Sequence, residues 1–276
     1  MSPRTVTDPG TRQPDGVVSA DGTVLGWQRT GNGPALILVE AAGHFRGFSS
    51  FEALTGMLAA HFTVFSYDRR GRGESTDTAP YAVAREVEDL RAMISHAGGS
   101  AFVYGFSSGA LLALHAAAAG LPISRLAVLE PPIGDDDTHG PSDFTSELVR
   151  LVVAGRHSDA VEYFNAGIGV PPEMLDGMRS TPAWAAMESV APTLVYDAVI
   201  ADASPPQMLA GVKVPTLVLD SEGSTDDLTG MAATVARGLP DGKHISLPGE
   251  WHGPRDEDLA IALIAYFTAS GGEGTA

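Results

Sequence analysis

Short apolar runs alternate along this chain with stretches whose apolar residues recur every three or four positions. The strand candidates are Thr23–Gln28, Leu36–Val39, Thr63–Tyr67, Ala101–Tyr104, Leu126–Leu129, Thr216–Leu219 and His244–Leu247. Several, such as Leu36–Val39 and Leu126–Leu129, are continuously apolar rather than alternating, which suits strands buried on both faces of a parallel sheet. Helices are predicted between them at Phe51–Ala60, Ala84–His96, Ser107–Ala119, Asp226–Arg237 and Arg255–Thr268. Strand–helix–strand alternation predicts an α/β chain with a mostly parallel central sheet, helices on its flanks and right-handed crossovers. No internal repeat interrupts it.

One stretch breaks this rhythm. From about Ile133 to Gly211 the pattern is helical with no convincing strand, and Pro141, Pro171-Pro172, Pro182, Pro192 and Pro205-Pro206 divide it. Phe144–Val153, Ser158–Gly167 and Pro182–Val190 each suit a short helix. The chain therefore reads as a core of residues 17–133 and 211–269 with a helical cap, 134–210, inserted between core strands. Residues 1–16 and 270–276, polar and rich in Gly, Pro, Ser and Thr, read as flexible tails.

Composition narrows the functions open to such a chain. Its 276 residues suffice for one large core, and 44% hydrophobic against 18% charged residues is a globular balance. Acidic residues outnumber basic ones 34 to 17, a formal net charge of −17. Nucleic-acid binding needs a positive footprint, and only Arg69-Arg70-Gly71-Arg72 offers a basic run. The same charge disfavours anionic membranes and polyanionic substrates. With no cysteine, disulfides, thiolate metal sites and cysteine nucleophiles are excluded. No apolar signal segment is visible in Met1–Val18 and no run of about 18 apolar residues occurs, so a cytoplasmic protein without a membrane span is expected. A small-molecule substrate is the expected partner, with the chain a monomer or homodimer and no sign of a cofactor.

The chemistry centres on Gly105-Phe106-Ser107-Ser108-Gly109. An apolar strand precedes this turn and an Ala/Leu-rich helix follows it, which is the context a nucleophile elbow requires. A strained turn there pushes the Ser107 hydroxyl away from the backbone, and the flanking glycines let strand and helix approach closely. The helix N-terminus then favours a developing oxyanion. The competing reading is a turn of small residues that merely lets a helix pack.

A serine nucleophile needs a base. Of eight histidines, His252 lies after the last predicted strand and before the final helix, on a loop able to reach the same end of the sheet. His115 lies more than two turns down the nucleophile helix, and His61, His96, His157 and His244 sit at helix ends or in strands. His44, in the loop after the second core strand, is a candidate substrate contact. His139 beside Asp135-Asp136-Asp137 matches no metal-ligand spacing, and a solvated acidic loop is expected there.

Together these features resemble the α/β-hydrolase superfamily over about residues 20–133 and 211–269, and more closely its small capped serine hydrolases with a Gly-x-Ser-Ser-Gly elbow. Asp68-Arg69-Arg70-Gly71-Arg72-Gly73-Glu74-Ser75 is similar to that superfamily's Asp-x-Arg-Gly-x-Gly-x-Ser loop, Gly105–Gly109 to its elbow and His252 to its base. The resemblance implies the α/β-hydrolase fold and a catalytic triad in the order Ser, acid, His.

Two positions depart from the pattern. The residue expected to hold the acid, after the strand following the cap, is Ser224, with Asp220 and Glu222 out of phase beside it. Some superfamily members take the acid from the strand after the nucleophile helix, and Glu130 stands at the end of Leu126–Leu129. Glu130 is therefore the expected acid, with Asp220 the alternative and a cap–core salt bridge the competing role for Glu130. Where members carry His-Gly at the oxyanion hole, this chain has Glu40-Ala41. The backbone N–H of Ala41 is then the expected partner of that of Ser108, and Glu40 must be protonated, paired with Arg46 or Arg69, turned away, or functional as a substrate contact or a second proton carrier.

The expected activity is ester or lactone hydrolysis through Ser107, His252 and Glu130 on a small, largely apolar substrate. The cap residues Phe144, Tyr163, Phe164, Met174, Met178, Trp184, Met187 and Tyr196 are candidates to line its pocket, Trp184 among the possible contacts. Two other readings stay open: a non-hydrolytic or C–C-cleaving biosynthetic enzyme on the same fold, and a catalytically decayed binding protein.

Overall fold

The computed structural model describes residues 16–133 and 141–269. The predicted tails, save Gly16, and the acidic loop Asp135–Asp137 with His139 lie outside the described residues.

Seven strands form one sheet: β1 (Trp27–Thr30), β2 (Ala35–Val39), β3 (Thr63–Tyr67), β4 (Ala101–Phe106), β5 (Ile123–Leu129), β6 (Thr216–Ser221) and β7 (Gly242–Leu247). Their spatial order is β1-β3-β2-β4-β5-β6-β7, and every neighbouring pair is parallel except β1 with β3. The central strands are buried along almost their whole length, which explains why they read as unbroken apolar runs.

Among the described residues, ten α-helices accompany this sheet. They are α1 (Glu52–Leu58), α2 (Val83–His96), α3 (Ser108–Ala118), α4 (Asp143–Val153), α5 (His157–Gly167), α6 (Pro172–Arg179), α7 (Pro182–Ser189), α8 (Leu194–Asp202), α9 (Asp226–Gly238) and α10 (Asp256–Thr268). The predicted strand Thr23–Gln28 breaks at Gly26. Val24–Leu25 pairs with Val17–Val18, while β1 continues beyond. Gly26 turns out of the ladder, donating its N–H to the Ser75 hydroxyl oxygen at 2.9 Å and accepting the Asp68 N–H on its carbonyl.

Helices α2, α3 and α9 cover one face of the sheet through residues such as Leu90, Met93, Leu112 and Val235. Helices α1 and α10 cover the other through Leu54, Leu58, Leu259, Leu263 and Phe267. Nine of the eleven residues of α3 are buried, so it presents no polar face and its sequence is apolar all round. Helices α4 to α8 all fall between β5 and β6. They carry an apolar cluster of their own, with Leu148, Val161, Phe164 and Leu194, and two of them, α6 and α8, lie where the sequence marks no particular helix.

The C-terminal ends of β2, β4, β5 and β6 deliver Glu40, Ser107, Glu130 and Glu222 to the same rim of the sheet. In open α/β sheets that rim is where ligands bind. None of the described helices is long and apolar enough to cross a membrane.

Candidate active site

Ser107 sits between β4 and α3 with φ 54° and ψ −119°, a conformation a non-glycine residue seldom holds. The elbow is as tight as its glycines require. A β-carbon on Gly105 would lie 2.5 Å from the Gly109 carbonyl oxygen, and one on Gly109 would lie 2.3 Å from that of Val39. Among the described residues only Ser107, Glu130 and His252 combine a positive φ with a side chain. Backbone strain of this kind costs about 1–3 kcal/mol per residue and collects at functional sites.

His252 is presented by a small hairpin. Gly249 and Glu250 pair with Pro254 and Gly253, leaving Trp251-His252 as the turn. Glu130, fully buried, leaves β5 at φ 44° and meets the imidazole Nδ1 of His252 through Oε2. Its other oxygen, Oε1, accepts the Ser221 N–H at 2.8 Å and the Ser224 hydroxyl at 2.6 Å. The same Ser224 oxygen accepts the backbone N–H of His252 at 2.9 Å. Burial pushes the Glu130 carboxyl up, but the hydrogen bonds from His252, Ser224 and Ser221 outweigh it and hold it below the usual carboxylate range. Ser224, at the position where the resemblance expects an acid, thus braces the Glu130 carboxylate at the end of β5.

Asp220 is engaged elsewhere. Its Oδ2 meets Nε2 of His244 on the edge strand at 2.5 Å. His115, half-buried, bonds the Ser204 hydroxyl, and its partial loss of solvation pushes it down to about 4.

Two pockets share Ser107, His252, Ala42, Phe164 and Trp251 in their walls. The first, of about 250 Å³, is walled by Phe48, Met174, Met178 and Met187 and reaches Ala41 and His44. The second, of about 440 Å³, runs past Phe144 and Leu111 to Asp202, Thr225 and Asp227. Ala42, one residue beyond the predicted Ala41, borders both. Ala42 and Trp251 are additions to the residues read from sequence; neither is a reactive type, so nothing in the pattern singles them out.

Three predicted pocket residues lie outside these walls. Trp184 packs inside the helical insertion, with its indole N–H on Ser158 and Glu188 and the Arg179 guanidinium 4.9 Å from its ring centroid. Tyr163 stacks on Phe144, and Tyr196 stacks on Tyr81.

Glu40 also stands back from the pockets, and neither expected arginine pairs with its carboxylate. Arg46 pairs with Asp68 and Glu74 instead, and Arg69 with Glu86 and Asp197. The Glu40 carboxyl accepts the hydroxyls of Ser49 and Ser50. Burial pushes it above its ordinary range against the pull of His44, Ser49 and Ser50. A folded-state value raised above the unfolded 4.5 means stability that is full below pH 4.5 and lost as pH rises through the folded value. Glu40→Gln keeps partners for both serines and has no proton to lose. Thermal denaturation should therefore show the variant melting above the wild type at about pH 8, with the gap closing below about pH 4.5.

The basic run is wholly internal. Arg69, Arg70 and Arg72 are each 1% exposed or less, so none offers charge to a polyanion. Arg70 forks onto Asp89 and also reaches Asp21. Arg69 and Arg72 converge on Asp197 of α8, at 2.8 and 2.6 Å. Burial raises the Asp197 carboxyl, but the charges of Arg72 and Arg69 and the hydrogen bonds from Arg72 and Ser108 prevail and hold it below the usual range. The signal for Asp197 was faint: one acid inside the apolar run Leu194–Ala201.

Comparison with known proteins agrees with this architecture. The model of the alpha/beta hydrolase family matches residues 31–262. A crystal structure of an alpha/beta hydrolase from Sphaerobacter thermophilus DSM 20745 is 44% identical, covers 92% of this chain and 100% of its own, and superposes with a TM-score of 0.85. An enol-lactonase from Burkholderia xenovorans LB400 shares the fold at 20% identity, covering 93% of this chain and 100% of its own, with a TM-score of 0.74. An esterase from Rhodococcus sp. ECU1013 does so at 20% identity, covering 92% and 98%, with a TM-score of 0.71. With its parallel sheet, its nucleophile-type elbow and a family match over most of its length, this chain belongs to the alpha/beta hydrolase family.

Proposed function

We propose that this chain is a serine hydrolase of small, uncharged, largely apolar esters or lactones, with Ser107 as nucleophile, His252 as base and Glu130 as the acid that orients it. The contact between Glu130 and His252 Nδ1, beside a Ser107 that opens on the same two pockets, carries this reading. An ionised Glu130 accepts the Nδ1 proton of His252, which leaves Nε2 as the acceptor that a base needs. Nε2 takes the Ser107 proton as the hydroxyl oxygen attacks the acyl carbon. The proton then passes to the leaving alcohol, and water releases the acyl group from Ser107 by the same path in reverse. The amide of Ser108, at the start of α3, and those of the Ala41-Ala42 turn receive the oxyanion. Helices α4 to α8 act as the cap, closing the pockets from above. The solved structures that share the fold include an esterase and an enol-lactonase.

The walls support the substrate class. Among the described residues no Lys or Arg borders either pocket, while Asp197, Asp202 and Asp227 border the larger one. Arg69 and Arg72 already match the charge of Asp197, so a substrate carboxylate would meet Asp202 and Asp227 with no cation in the pocket walls to offset them. In a matched series of esters, a neutral member should exceed its carboxylate-bearing counterpart in kcat/KM by about tenfold or more, since an uncompensated like charge is worth over 1.4 kcal/mol in such a site. A preference for the anionic ester would contradict this assignment. A fluorophosphonate probe should label the wild type and leave Ser107→Ala unlabelled; no labelling of either protein would sink the nucleophile assignment.

A further inference from the structure

Two arginines from the variable positions of the Asp68–Ser75 loop touch the Ser108 side chain on one side of the proposed oxyanion site and backbone carbonyls on the other. Arg69 Nη1 donates to the Ser108 hydroxyl at 3.1 Å and to the Glu40 carbonyl at 3.4 Å. Arg72 Nη1 donates to the carbonyls of Ala41 at 2.8 Å and His44 at 3.2 Å. In a trans peptide the carbonyl and the following N–H point in opposite directions. Holding the Glu40 carbonyl therefore aims the Ala41 N–H the other way, and holding the Ala41 carbonyl does the same for the Ala42 N–H. Ala41 and Ala42 both border the pocket that Ser107 opens on.

One residue organises both guanidinium groups. Asp197 of α8 takes Arg69 on Oδ1 and Arg72 on Oδ2, and its Oδ1 also accepts the Ser108 hydroxyl at 2.8 Å. All four side chains are 5% exposed or less. An array that only joined the insertion to the core would not need to reach the residue after the nucleophile and two successive peptides of the opposing turn.

We infer that Asp197 is a positioning residue for the oxyanion hole: through Ser108, Arg69 and Arg72 it fixes, from the helical insertion, the two backbone segments whose amides receive the oxyanion. The inference rests on the proposed serine-hydrolase reading. Asp197 touches no reacting atom. Its effect falls on the tetrahedral state, where the oxyanion carries full charge, more than on substrate binding.

Two variants test it. Asp197→Asn keeps the shape and removes the charge that gathers the arginines. Ser108→Ala keeps the helix and the backbone amide and cuts the tether alone. Each is assayed with a neutral p-nitrophenyl ester for kcat and KM, and with an alkyl boronic acid, whose adduct with Ser107 places a tetrahedral oxygen in the same hole. The expected result is a fall in kcat of about ten- to hundredfold, a parallel loss of boronate affinity, and KM within about twofold of wild type. A merely structural role would not move kcat and boronate affinity together at constant KM. Folded variants with kcat and boronate affinity within about twofold of wild type would overturn the inference, as would a change confined to KM. Should Asp197→Asn fail to fold, Ser108→Ala decides alone. A Ser107→Ala control separates the failures: if it retains full turnover, the nucleophile reading falls, whereas an inactive control beside an unimpaired Ser108→Ala removes only the positioning role.

Discussion

Glu130→Gln is expected to lower kcat by about a thousand- to ten-thousand-fold, while Asp220→Asn leaves kcat within about threefold of wild type. The reason is the fixed polarity around Glu130. Ser221 N–H and the Ser224 hydroxyl both donate to Oε1, so in the variant the amide oxygen takes that place. The amide nitrogen then faces Nδ1 of His252 as a donor. His252 answers by accepting at Nδ1 and holding its proton at Nε2, the tautomer that cannot take a proton from Ser107. The backbone donors stay satisfied, so the loss should show as catalysis without a matching fall in melting temperature. Asp220 meets His244 on the edge strand, and its loss leaves His252 undisturbed. Steady-state kinetics on one neutral ester checks both variants together. If Asp220→Asn abolishes turnover and Glu130→Gln does not, the acid is misassigned.

Arg69→Met should lower stability by about 3–5 kcal/mol, because removing one partner from a buried ion network leaves the others uncompensated. The Arg69 side chain forks onto Glu86 at 2.7 and 2.8 Å and reaches Asp197 at 2.8 Å, all with side chains 2% exposed or less. Methionine fills much of the volume but offers no donor to either acid. For a domain of this size the loss corresponds to a fall in melting temperature of roughly 10 °C. The control is Arg150→Met. Its partner Glu147 lies one helical turn away, and both side chains are exposed, so this pair should contribute nothing measurable. Differential scanning calorimetry of the two variants distinguishes the cases, and equal melting temperatures would contradict the assignment of strength to the buried network.

The sheet was readable from sequence because its central strands are covered on both faces, and short apolar runs such as Leu36–Val39 and Leu126–Leu129, too brief for a buried helix like α3, suit that environment. The elbow was readable because its constraint is local: Gly105 and Gly109 sit where a β-carbon would strike backbone 2.5 and 2.3 Å away. Contacts between distant residues left weaker traces. Glu130 and His252 are 122 residues apart, and the serine at position 224 with Glu130 at the end of an apolar run were the traces of their pairing. The pairing of Arg69 with Asp197 left less. Arg69 and Asp197 are 128 residues apart, and a basic run in sequence does not reveal that its charges point inward. Trp184 shows the converse. An aromatic in an amphipathic segment suits a pocket wall and a helix interface equally, and here it packs within the insertion.

The bracing of Glu130 by Ser224 bears on how such enzymes diverge. Glu130 from the end of β5 and Ser224 beyond β6 bond each other, and both reach His252, one at its imidazole and one at its backbone N–H. On the proposed triad the histidine therefore draws on two neighbouring strand ends, and the acid need not stand where the rest of the pattern expects it. Under that reading, genome surveys that demand an aspartate after the sixth strand would discard chains like this one as inactive. A search keyed to spatial position would retain them.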